Sequence, residues 1–146
     1  MKLSIILILF SMTFVISGLA TALPQERTIT VDLTNPDDGS IVHGIVQVEA
    51  HAISSVPFIE DSWASPISFV ISGEDWGIII MQPDLCIITY DEQYDMHHAW
   101  CMYEWDSTDF EGEDVHIGAH AGNEEGHHAH DYADVIVTTP TLSNQR

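Results

Sequence analysis

Positive charge is the scarcest commodity in this chain. Only 3 of its 146 residues are Lys or Arg, against 23 Asp plus Glu, for a formal charge of -20. Proteins that hold nucleic acid do so by neutralising phosphates with Lys and Arg, so this composition excludes a nucleic-acid binder. The same repulsion disfavours docking on anionic lipid headgroups. Long apolar runs are missing beyond the N-terminus, so no later stretch reaches the roughly 18 residues of a helical membrane span. No 11-residue window carries a helical stripe. Also missing are a Gly-x-Ser-x-Gly elbow, a phosphate-binding glycine loop and a His-Glu-x-x-His helix, so no catalytic residue is assigned. Ser, His and Asp are abundant enough that a triad drawn from them carries no information. A glycosidase-type carboxylate pair needs a cleft, which a single small β domain seldom offers.

What is present points to a folded, exported domain. The hydrophobic fraction of 45% is ordinary for a globular protein and excludes bulk disorder. The length fits one domain. Residues 1–22 read as a signal peptide: Lys2 forms the basic start, an apolar stretch follows, and Ala20-Thr21-Ala22 supplies the small-x-small cleavage pattern. The alternative is an uncleaved N-terminal anchor. Cleavage near Ala22 leaves 124 residues that keep every acid but only Arg27 and Arg146, so the formal charge becomes -21. Acidity of this kind suits high or marine salt, where screening removes the repulsion. Alternatively, the carboxylates collect divalent cations.

Period-two alternation predicts strands at 44–52, 114–121 and 131–138, where Val and Ala on one face oppose Gln, Glu, His or Asp on the other. Further strands are expected at 28–33, 67–72, 76–81, 85–90 and 100–105, separated by clusters of Pro, Asp, Asn and Gly. Seven or eight short strands at this spacing predict an all-β, two-sheet antiparallel sandwich. The organisation expected is a leader at 1–22, a short segment at 23–27, the sandwich at 28–138 and a tail at 139–146.

Several motifs resemble bacterial and archaeal immunoglobulin-like (Big-type) domains of secreted and cell-surface proteins. Asn35-Pro36-Asp37-Asp38-Gly39-Ser40 followed by Gly44-Ile45-Val46-Gln47-Val48-Glu49-Ala50-His51-Ala52 is similar to their opening turn and strand. Ile67-Ser68-Phe69-Val70-Ile71-Ser72-Gly73 resembles their third strand, and Tyr103-Glu104-Trp105-Asp106-Ser107-Thr108 their aromatic-x-Trp-Asp-Thr-Thr signature. Val115 to Ala121, the Gly122-Asn123 turn and Val135 to Val137 look like their last two strands. Two features depart from the pattern: the stretch 77–99 is longer than the family's link, and the final turn is swollen with His and Glu. The resemblance implies an immunoglobulin-like sandwich serving adhesion or protein interaction at the cell surface.

Cys86 and Cys101 are the only cysteines, and an even count in an exported chain favours a disulfide. That bridge would make 85–90 and 100–105 antiparallel neighbours joined by a loop at 91–99. The chain also has nine His. Five of them, His97, His98, His127, His128 and His130, are expected in two loops at one end of the sandwich, beside a third loop carrying Glu60 and Asp61. Imidazole with carboxylate suits zinc or copper, which need three or four such ligands. His116 and His120, about 13 Å apart on one strand, are too far apart to share an ion. Acidic turns gather at the other end, where Asp37, Asp38, Asp75 and Asp109 would offer the carboxylate oxygens that calcium uses. No continuous calcium-loop motif accompanies them. Trp63, Trp76 and Trp100 would form a sugar-stacking platform if exposed, whereas Trp105 shares a face with Cys101 and Tyr103 and reads as buried.

Three functions are therefore weighed: a non-catalytic module with a protein or cell-surface partner, an extracellular zinc or copper protein, and a small carbohydrate-binding or hydrolytic domain.

Overall fold

The computed structural model describes residues 28–59 and 66–139. The leader expected at 1–22, the segment 23–27, Glu60, Asp61, Trp63 and residues 140–146 of the tail lie outside the described residues. Among the described residues nine strands follow in order: β1 (Ile29–Asn35), β2 (Ile41–Val42), β3 (Ile45–Ser54), β4 (Ile67–Gly73), β5 (Gly77–Met81), β6 (Leu85–Asp91), β7 (Met96–Asp106), β8 (Asp114–Gly122) and β9 (His128–Val137). One 3-10 turn, Thr108–Phe110, links β7 to β8. The strands form two sheets, β1-β3-β7-β6 and β2-β9-β8-β4-β5. Every pairing is antiparallel except that of β2 with β9. The chain is an all-β sandwich.

Alternation decides which side chains meet between the sheets. Val46, Val48, Ala50 and Ala52 of β3 face Val115, Ile117, Ala119 and Ala121 of β8 within one core, together with Ile67, Phe69 and Ile71 of β4. Trp105 is the largest fully buried side chain, as its face predicts. Each fully buried Val, Ile or Phe contributes about 1.5–3 kcal/mol by leaving water. That core supports the outer faces on which the candidate site lies.

Buried polar groups fasten both ends. Near the end of β3, Asn123 Nδ2 donates to Ser54 Oγ at 3.1 Å, and Asn123 Oδ1 accepts from the His127 amide at 3.1 Å. Ser54 and Asn123 are both fully buried. At the opposite end, Ser107 Oγ donates to the Gly44 carbonyl at 2.8 Å.

Three expectations change. The strand predicted at 100–105 begins at Met96, and the one predicted at 131–138 begins at His128. The long loop expected at 91–99 shrinks to a turn at 92–95, because the Asp91 carboxylate accepts the amides of Gln93 (2.9 Å) and Tyr94 (3.3 Å). Asp95 adopts φ 55° there, and its carboxylate accepts the Tyr90 hydroxyl at 2.6 Å. The strand not anticipated is β2, two residues long and defined only by its pairing with Ile136 and Val137.

Candidate functional site

The register places histidines on the outward sides of both sheets. On the first sheet, His51 lies directly across from Trp100 and His98 across from Ile53. The rings of His51 and Trp100 stack with centroids 3.6 Å apart, 3° from parallel. His51 Nε2 and His98 Nδ1 are 3.1 Å apart, a hydrogen bond in which one nitrogen keeps its proton and the other accepts it. Burial, and then the neighbouring His98, hold the His51 imidazole below the ordinary histidine value, with Asp32 opposing. This stack is an aromatic strip on a highly acidic protein.

The second sheet carries a denser array on β8 and β9. Direct cross-strand pairs join His116 to Asp134, Gly118 to Tyr132, His120 to His130 and Gly122 to His128. His116 donates from Nδ1 to Asp134 Oδ1 at 2.6 Å. Tyr132 stacks on His116 with centroids 4.7 Å apart and meets His120 edge-on at 5.6 Å. Its position depends on Gly118, since a Cβ there would stand 2.8 Å from the tyrosine ring. His128 likewise covers Gly122, where a Cβ would be 3.0 Å from its Nδ1. Burial, and then His130, lower the affinity of His120 for a proton.

The five histidines assigned to loops are thus distributed differently. His97 and His98 stand on β7 and His128 and His130 on β9, in different sheets; only His127 lies in a turn. Consecutive residues of a strand point to opposite faces, so His98 joins Trp100 on the outer face while His97 takes the face of Ala99 and packs against Tyr90, with ring centroids 4.8 Å apart. Sequence reasoning placed His51 and His120 on strands without joining either to these groups. Only the register of β3 with β7, and of β8 with β9, brings them in. Among the described residues, no three His, Cys, Asp or Glu side chains converge at metal-binding distance.

The acidic residues considered for calcium are spread over separate turns. Asp37 and Asp38 follow β1, Asp75 lies between β4 and β5, and Asp109 sits in the 3-10 turn. Asp38 Oδ1 accepts the Asp134 amide at 2.8 Å, a contact that holds its turn against β9. Beside it, Gly39, Glu74, Asp114, His116 and Asp134 line an open cavity of about 460 Å³.

Cys86 and Cys101 face each other directly across β6 and β7 and form a disulfide, with Cα atoms 4.2 Å apart. The edge strands are unusual. On β5, the outward Ile78 and Ile80 are 72% and 69% exposed. On β6, Leu85 and Ile87 are 51% and 53% exposed, beside the half-exposed Trp100. Natural sheets guard such edges with Lys, Pro or a bulge; Gly77-Ile78-Ile79-Ile80-Met81 has no charge and no proline. Trp76, by contrast, is half-buried against Phe110, with centroids 4.6 Å apart, and does not join Trp100 in one exposed platform. The chain matches no protein-family model and no curated protein.

Proposed function

We propose that this chain is a non-catalytic interaction module, working outside the cytoplasm, that takes up an extended segment of a partner protein along β5. The observation that carries this reading is the unguarded edge of β5, with Ile78 and Ile80 exposed on its outward face. An added strand would pair with the outer backbone edge of β5, which no other described strand pairs, and set alternate side chains against the two isoleucines, the mode called β-augmentation. A formal charge of -20 selects the partner's chemistry: apolar at alternate positions and neutral or basic between them. The same charge opposes pairing with a second copy. The Cys86–Cys101 disulfide supports an oxidising compartment, in keeping with the leader read at 1–22 and with the resemblance to cell-surface modules.

The test uses two synthetic probes, an alternating valine–lysine peptide and an alternating valine–glutamate peptide. Fluorescence anisotropy should show binding of the first and not of the second. The neutral double substitution Ile78→Ser/Ile80→Ser should weaken that binding at least about tenfold, the equivalent of about 1.4 kcal/mol. Equal binding by the substituted protein would reduce the interaction to general charge attraction and overturn the reading.

A further inference from the structure

We propose that His120, His128 and His130 form a binding site for one divalent transition ion of the zinc and copper class on the outer face of β8 and β9. This inference is independent of the interaction assigned to β5. It also differs from the histidine set read from sequence, keeping His128 and His130 but replacing His97, His98 and His127 by His120.

The register supplies the triangle. His120 and His130 are a direct cross-strand pair, a relationship that puts Cβ atoms about 4.5–5.5 Å apart. His128 and His130 are two residues apart on one strand and share its face, about 7 Å apart along β9. The remaining side, His120 to His128, is a diagonal of about 7–8 Å. Half of the longest side is within the combined reach of an imidazole and a metal–nitrogen bond of about 2.0–2.1 Å. In the structure the rings of His120 and His130 already stand 5.8 Å apart, inclined by 33°. The three rings do not converge as they stand, but His128 and His130 are both exposed, so their rings can turn toward an ion without disturbing the core.

Space for an ion is provided by what is missing. The residue opposite His128 is Gly122, and the two border a recess of about 220 Å³ with His120, Ser68 and Ile59. A side chain at 122 would fill the floor of that recess. Tyr132 supports the arrangement from the far side, its hydroxyl 3.4 Å from His120 Nε2 and its ring 5.3 Å from that of His130. Outer partners of this kind fix the orientation of metal-bound imidazoles. Three imidazoles leave one tetrahedral position for water or an outside ligand. His116 is excluded by distance, because it lies four residues from His120 along β8, about 13 Å away.

The experiment uses the full chain without a histidine tag, stripped with a chelator, then titrated with zinc chloride and separately with copper(II) chloride. Calorimetry should show one equivalent bound with a Kd near or below about 10 μM, together with a rise in Tm. His120→Gln should weaken binding at least about tenfold, while His98→Gln on the other sheet leaves it unchanged. Circular dichroism of each variant confirms that the fold is kept. No binding of either metal at about 100 μM, or parental affinity in His120→Gln, overturns the proposal. So does an equal loss in His98→Gln, because it would mean diffuse binding by surface imidazoles.

Discussion

The indole of Trp100 lies flat on the imidazole of His51, and on its other flank His51 hydrogen-bonds to His98. The contact with His98 suits a neutral imidazole, because the hydrogen bond needs one unprotonated nitrogen and two positive rings would repel. Burial and His98 together hold the folded-state pKa of His51 below that of an unfolded histidine, about 6.5.

The direction of the resulting pH dependence follows. Below about pH 6.5 the unfolded chain takes up the proton more readily than the fold, so this contribution is complete above that pH and is lost as pH falls through the lower, folded value. The carboxylates titrate over part of the same range, so the informative quantity is a difference. The stability advantage of the parent over His51→Gln, from urea midpoints, should shrink between pH 7.5 and pH 5. An advantage that stays constant would show that the stack is insensitive to charge.

How much of this was legible in the sequence depends on the element. The sandwich was readable because β3, β8 and β9 alternate strictly, and burying one face of such a strand leaves little freedom of register. β2 was not readable: two residues carry no period, and its pairing exists only because β9 arrives beside it. The starts of β7 and β9 were missed because His97-His98 and His128 look like loop residues until their cross-strand partners are known. The candidate metal triangle was hidden for the same reason. His120 lies eight residues from His128 in sequence, and only the register makes it the partner of His130.

The buried link between Ser54 and Asn123 joins the end of β3 to the turn after β8, beside the backbone bridge of Phe58 with Asn123. Ser54 Oγ also accepts the Val56 amide at 3.2 Å, so losing Ser54 removes a partner from the Asn123 and Val56 amides, and losing Asn123 removes one from the His127 amide and from Ser54. Asn123→Ala should cost about 1–3 kcal/mol in urea unfolding. Ser54→Ala should cost a similar amount, and the double variant less than the sum of the two, the signature of a shared interaction. Strict additivity would show that the two residues stabilise their ends separately.

Two glycines seat aromatic rings, and they should respond differently to a methyl group. A Cβ at Gly73 would overlap the indole of Trp76, which is itself packed against Phe110. Both rings are half-buried and packed on each other, so Gly73→Ala should destabilise by about 1–3 kcal/mol, the usual range for overpacking. Gly118→Ala meets Tyr132, which is 41% exposed and can swing outward. The smaller unfolded-state entropy of alanine offsets part of that movement. Thermal unfolding of the two variants should therefore rank Gly73→Ala well below Gly118→Ala, and the reverse order would contradict these seats.

Salt should stabilise this fold, for a reason that lies in the distribution of charge. All three basic residues, Lys2, Arg27 and Arg146, fall outside the described residues, so the acids of 28–59 and 66–139 have no Lys or Arg within their own stretches. His116 gives Asp134 a partner, but a histidine can offset little of a formal charge of -20. Folding gathers these carboxylates onto one small surface, and the unfolded chain separates them. Screening therefore favours the folded state, with a Debye length of about 30 Å at 0.01 M falling to about 8 Å at 0.15 M. Tm should rise steadily from about 0.01 M to 0.5 M sodium chloride, with most of the gain below about 0.2 M, where the Debye length changes fastest. Potassium chloride should act equally, because screening depends on ionic strength and not on the identity of a monovalent ion. A Tm that responds to micromolar calcium but stays flat in sodium chloride would place specific cation binding at the acidic turns in place of general screening.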